Sequence, residues 1–142
     1  MSSRSQLHKL FFQEPAGRFG LGHVLVNPLP GGEFDRLEQD DVGRWQCDLT
    51  NHDALSWSDK VYEIFGLPHG QPISRGNVVA QYRDHSRGVL ERLRAFAINR
   101  GCGFILDAEI SSPSGSHWIR ILATPTLKGG RVIGLHGLKR VL

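Results

Sequence analysis

At 142 residues and 15.8 kDa the chain has the size of one domain, and its 39% hydrophobic and 22% charged residues exclude a disordered chain. No stretch approaches the ~20 consecutive apolar residues of a membrane-spanning helix, the first residues lack a secretory core, and two cysteines, Cys47 and Cys102, cannot build a disulfide framework, which makes the cytoplasm the expected compartment. A formal charge of +3 without a run of five basic residues gives no case for nucleic acid.

In chain order, residues 1–41 read as an N-terminal extension. Gly17, Gly20, Gly22, Pro28, Pro30, Gly31 and Gly32 argue against a long regular element in residues 1–32, whose role the sequence leaves open. Leu21 to Val26 suits one short strand. Phe34 and Leu37, three apart in a polar stretch, suit a short amphipathic helix that caps the main domain. From Val42 the pattern sharpens. Trp45, Cys47 and Leu49 alternate with polar residues as a strand, Asn51 to Asp53 form a turn, and Ala54 to Trp57 return as a second strand. Ser58 is placed to cap a short helix that Gly66 ends, and Ser74 to cap another reaching Gln81. Asp84 is placed to cap a long helix, Ser86 to Arg100, whose Val89, Leu90, Leu93, Phe96 and Ala97 share a stripe. Three strands follow. The last two are joined at Gly129-Gly130, a pair suited to a tight hairpin. The expected fold class is α+β, a five-stranded antiparallel sheet with short helices grouped on one face.

Charge is laid out in blocks. Glu33 to Glu63 holds nine acidic against three basic residues, Arg75 to Arg100 six arginines against Asp84 and Glu91, and after Glu109 there are five basic residues and no acid. Such blocks neutralise one another across a fold or make a bipolar surface that orients a protein partner.

The order of elements and the local text resemble a PAS domain. Three pieces carry the resemblance: Gly43-Arg44-Trp45-Gln46-Cys47-Asp48-Leu49, then Leu55-Ser56-Trp57-Ser58-Asp59-Lys60-Val61-Tyr62-Glu63-Ile64-Phe65-Gly66, and Gly115-Ser116-His117-Trp118-Ile119-Arg120 followed by Gly130-Arg131-Val132 through Gly137. It spans residues 42–142. Before the long helix only Asp84 matches the family's usual text, and Val141 and Leu142 stand where the family continues Asp-Ile-Thr, so a stand-alone module or a piece of a longer signalling protein is expected. The resemblance implies a non-catalytic bacterial sensory or adaptor domain. It would couple a small ligand, or protein contact alone, to a partner such as a histidine kinase or cyclase, with homodimerisation expected and neither nucleic acid nor membrane involved.

The resemblance implies a cavity between sheet and helices, and the inward residues are its candidates: Cys47, Phe65, Tyr82, Val89, Leu93, Leu106, Ile119 and Ile121. On the strand from His117, alternation puts Ile119, Ile121 and Ala123 inward and Trp118, Arg120 and Leu122 outward. Trp118, Arg120 and Leu122 are therefore interface candidates, unless the extension covers them, and Phe34 and Leu37 join them because their short helix could both cap the sheet and take part in a dimer. No cofactor is required. Neither cysteine lies in the text of a photoactive flavin domain, and His85 falls one residue short of the haem-ligand position, where Ser86 stands. Two alternatives stay open: a haem-binding PAS domain that senses gas or redox state, and, because Asp107, Glu109, His117 and His136 lie on adjacent strands, a small α+β lyase or isomerase. The sequence shows no catalytic residues and no metal-ligand cluster.

Overall fold

The computed structural model describes residues 3–26, 35–37 and 39–142, with side chains from residue 7 onward. Phe34, expected at an interface, lies outside the described residues. Among the described residues the helices are α1 (Ser3–Phe12), α2 (Asp59–Phe65), α3 (Arg75–Val79) and α4 (Asp84–Arg100), and residues 35–37 are helical as well. The strands are β1 (His23–Leu25), β2 (Val42–Asp48), β3 (Ala54–Trp57), β4 (Gly103–Ser112), β5 (Gly115–Lys128) and β6 (Arg131–Val141). They form one antiparallel sheet in the order β1-β4-β5-β6-β2-β3.

Local chemistry explains most boundaries. Gly66 and Gly101 end α2 and α4 in the left-handed region, at φ 70° and 67°. The Ser74 hydroxyl accepts from the Asn77 N–H, as its sequence position predicts. Ser58 precedes α2, but its hydroxyl accepts from the Arg44 N–H at 2.9 Å and ties the helix start to β2 instead. Asp84 does not cap α4. It is the helix's first residue, Arg83 stands at the cap without a side-chain bond, and Asp84 pairs with Arg87 at 3.3 Å. Gly137 marks a close approach: a Cβ there would lie 1.7 Å from the Leu122 carbonyl oxygen of β5.

The two sheet faces carry separate cores. On the inner face Phe104, Leu106, Ala108, Ile119, Ile121 and Leu135 pack under α2, α3 and α4. On the outer face Ile105, Leu122 and Leu138 pack with Leu7, Phe11, Phe19, Leu37 and Val42. Two expectations are thereby corrected. The sheet has six strands rather than five, because β1 of the extension pairs with the free edge of β4 and satisfies its backbone groups. Helices also lie on both faces, because the ten-residue α1 covers the outer side. The Gly-Pro punctuation begins only at Pro15, and ahead of it Leu7, Leu10 and Phe11 already have helical spacing. Phe96, expected on the apolar stripe of α4, is 43% exposed; Val89 and Ala97 face the sheet and Phe96 lies under the Arg100 guanidinium at 5.6 Å.

Arg120 fastens the extension down. It is fully buried and forms a bidentate pair with Asp107, Nε to Oδ1 at 2.6 Å and Nη2 to Oδ2 at 2.9 Å. Its remaining N–H groups donate to the carbonyls of Leu10, Phe11, Gln13 and Pro15. Arg140, beside it on β6, donates to the Phe11 carbonyl at 2.8 Å. The last carbonyls of a helix have no intrahelical donors and carry its negative end, so two guanidinium groups there satisfy both needs. Removing one partner of a buried pair strands the other. Arg120→Met is expected to cost about 3–5 kcal/mol in urea unfolding and to speed amide exchange throughout α1 more than in β4–β6; unchanged protection of α1 would refute this anchoring.

Candidate functional site

A cavity of about 60 Å³ lies between the inner sheet face and helices α3 and α4. Its walls come from β2 (Trp45, Cys47), β3 (Leu55, Trp57), α3 and the following turn (Val78, Tyr82), α4 (Leu90, Arg94), β4 and β5 (Phe104, Ile121) and β6 (Leu135, Lys139). The β2–β3 hairpin sets Trp45 opposite Trp57 and Cys47 opposite Leu55, which puts both indoles on one wall.

Lys139 is the unusual member, only 6% exposed. Its ammonium donates to the Tyr82 phenol oxygen at 3.1 Å. It lies 4.9 Å from the ring centre of Phe65, 5.3 Å from Trp45, and 5.8 Å from both Trp57 and Tyr82. Aromatic faces attract a cation, but among the described residues Lys139 has no ion pair. Burial pulls its pKa down from 10.5 to about 7, and the neighbouring Cys47, when ionised, opposes that. Burial pushes the Tyr82 phenol and the Cys47 thiol up, so both keep their protons at neutral pH. At the rim Arg94 pairs with Asp53 at 3.1 Å and Arg75 pairs with Glu91. The indole N–H groups of Trp45 and Trp57 are buried without a hydrogen-bond partner.

Of the residues expected at a cavity, Cys47, Tyr82 and Ile121 line this one, and Phe65 faces its ammonium. Leu106 and Ile119 lie in the surrounding core. Val89 and Leu93 do not line the cavity and instead border a separate groove with Leu21, Val24, Arg92 and Phe96. Of the interface candidates, Leu37, Arg120 and Leu122 are buried beneath or within the chain's own N-terminal cover, and Trp118 is half-buried beside His85. The sequence reading missed Lys139, Trp45, Trp57 and Arg94. A signal was present: alternation along β6 puts Lys139 on the same side as Leu135 and Gly137, so a cation falls on the inward face.

The catalytic alternative finds no convergence. Asp107 is held by Arg120, the Glu109 carboxylate lies 3.5 Å from His85, His117 contacts the Ile64 carbonyl, and His136 bonds Thr126. Among the described residues no cluster of three or more His, Cys, Asp or Glu could hold a metal. The cavity is far below the ~300 Å³ at which pockets for larger ligands begin. At the haem-ligand position the Ser86 hydroxyl accepts from the Glu109 N–H, while the His85 side chain is 62% exposed.

The lysine makes stability depend on pH. Its folded pKa of about 7 lies below the unfolded 10.5, so between those values the unfolded chain binds the extra proton. Its contribution to stability therefore falls as pH drops from 10.5 to about 7 and is level below. Lys139→Met is expected to gain a few kcal/mol at pH 7, roughly, and little at pH 10.5, read as the difference from wild type in urea unfolding. A difference that does not change with pH would contradict the burial of a titrating amine.

Neither protein-family models nor curated proteins match the sequence. Solved structures match the fold. The N-terminal domain of a diguanylate cyclase with PAS/PAC sensor from Marinobacter aquaeolei superposes with a TM-score of 0.63 at 16% identity, covering 70% of this chain and 94% of that one. A sensory box histidine kinase/response regulator from Burkholderia thailandensis gives 0.61 at 15%, covering 72% and 77%. An RNA-binding light-oxygen-voltage receptor gives 0.62 at 14% over 72% of this chain, which spans only 29% of that receptor. With the curled sheet, the flanking short helices and the order of strands from β2 to β6, these likenesses show that the chain has the PAS fold.

Proposed function

We propose that the chain is a non-catalytic sensory domain that couples occupancy of the Lys139 cavity to a signalling partner in the cytoplasm, of the histidine kinase or cyclase kind. The fold neighbours drawn from such proteins support this reading. So does the absence, among the described residues, of any helix long and apolar enough to cross a membrane. The observation that carries it is the adjacency of Lys139 and Arg140 on β6. The first projects into the cavity, and the second holds the carbonyl end of α1 on the opposite face.

A strand residue and its neighbour share one backbone, so a ligand that repositions Lys139 also acts on the seat of Arg140. Such a ligand has an effect only if it binds two states of the cover unequally. The two states are α1 seated and α1 released. Release would uncover Ile105, Leu122 and Leu138, an apolar face suited to a partner or to a second copy of the chain. The expected homodimer would thus use the outer face only when the cover is off. A second reading, an adaptor with a filled core and a binding face alone, is favoured by the small size of the cavity.

Native mass spectrometry of the purified protein, with an absorbance scan, separates the two. A bound small mass supports the sensor, and a clean apo mass supports the adaptor. Arg140→Met is expected to raise α1 amide exchange about tenfold or more, the loss of roughly one charge-assisted bond, and to shift sedimentation toward dimer. Unchanged sedimentation with a loosened α1 would count against self-association through this face.

A further inference from the structure

We propose that the cavity takes a small monocarboxylate with a short hydrocarbon body, its carboxylate seated on the Lys139 ammonium; this rests on the ligand-sensing reading above. The argument starts from charge. The rim cations Arg75 and Arg94 are already matched by Glu91 and Asp53. Lys139 is the cation of the cavity that no acid balances, so the site has room for a single negative charge.

Hydrogen bonding points the same way. Of the three N–H donors of the ammonium, one reaches Tyr82, and the rest face aromatic rings. The indole N–H groups of Trp45 and Trp57, whose rings form one cavity wall, have no acceptor at all. Buried donors without partners are costly, and the group that relieves them must bring acceptors. A carboxylate brings two oxygens and one charge. A phosphate would bring up to two charges against one lysine.

Shape selects the remainder of the molecule. Cys47, Leu55, Leu90 and Ile121 make apolar walls, which favour hydrocarbon. About 10–15 Å³ holds one water, so 60 Å³ admits only a few heavy atoms.

The site has one titrating member near neutrality. Cys47 on β2 and Tyr82 ahead of α4 keep their protons there, and Arg75 on α3 and Arg94 on α4 are paired with Glu91 and Asp53. Binding of an anion therefore follows the protonation of Lys139, tight where it is an ammonium and weak where it is an amine.

Butyrate and its neutral isostere butyramide, titrated calorimetrically into the full chain, test this. Butyrate is expected to bind at pH 6 and to weaken by about ten- to a hundredfold at pH 9. Butyramide at pH 6 is expected to bind at least about tenfold more weakly. Lys139→Met, checked for folding by its melting curve, is expected to lose the preference for the acid. Equal binding of acid and amide, or no weakening between pH 6 and 9, overturns the carboxylate and leaves cavity sensing standing. If neither probe binds, the mass of the co-purified molecule decides. A carboxylic acid upholds the inference, any other class overturns it, and a clean apo mass overturns it together with the sensing reading.

Discussion

A guanidinium kept from water must spend every N–H on a protein acceptor, and Arg120 does so by joining three parts of the chain. Asp107 on β4 takes two of its bonds, and the backbone that ends α1 takes the others. Asp107 in turn accepts from the Phe19 N–H at 3.1 Å, and the Phe19 ring lies 4.8 Å from the guanidinium. Buried ion pairs are weak sources of net stability, but they penalise every arrangement that leaves one member alone. The pair therefore specifies where the extension lies. Without it, the outer face would be an uncovered apolar surface on β4, β5 and β6.

The inner face has the opposite character. Where Arg120 is fully paired, Lys139 has one hydrogen bond and a ring of aromatic faces. The two cations sit close in the sheet: Ile121 pairs with Lys139 and Arg120 with Arg140 across β5 and β6. One position of the sheet thus has a satisfied charge on one side and an unsatisfied one on the other. Structural need explains the first. It does not explain the second, since an apolar side chain in place of Lys139 would avoid the desolvation.

The fold from residue 42 onward was legible because most local signals agreed with the global arrangement, even where single cap residues such as Asp84 did not. The Gly129-Gly130 turn adopts φ 59° and 76°, as a tight hairpin requires, and Gly66 and Gly101 end their helices where expected. Alternation on β5 sorted Ile119 and Ile121 from Arg120 and Leu122 correctly, because side chains on a strand must alternate. The extension was read less well. Its glycines and prolines obscure the helical spacing of Leu7, Leu10 and Phe11, and a three-residue strand carries too little pattern to be assigned to a sheet edge. The site was read least. A search for apolar inward residues finds the walls, such as Cys47 and Ile121, and passes over Lys139 among them. What makes Lys139 distinctive is its surroundings, contributed by β2, β3, α2 and the turn before α4. No local pattern holds that information.

The placement of the indoles has an optical consequence. Of the chain's three tryptophans, Trp45 and Trp57 form one cavity wall within 6 Å of the ammonium, while Trp118 lies beside His85. Indole emission responds to nearby charge and to the polarity around the ring, and two of the chain's three indoles sit beside Lys139. The molecule thus carries a native fluorophore pair positioned to register events in its own interior, with no dye attached.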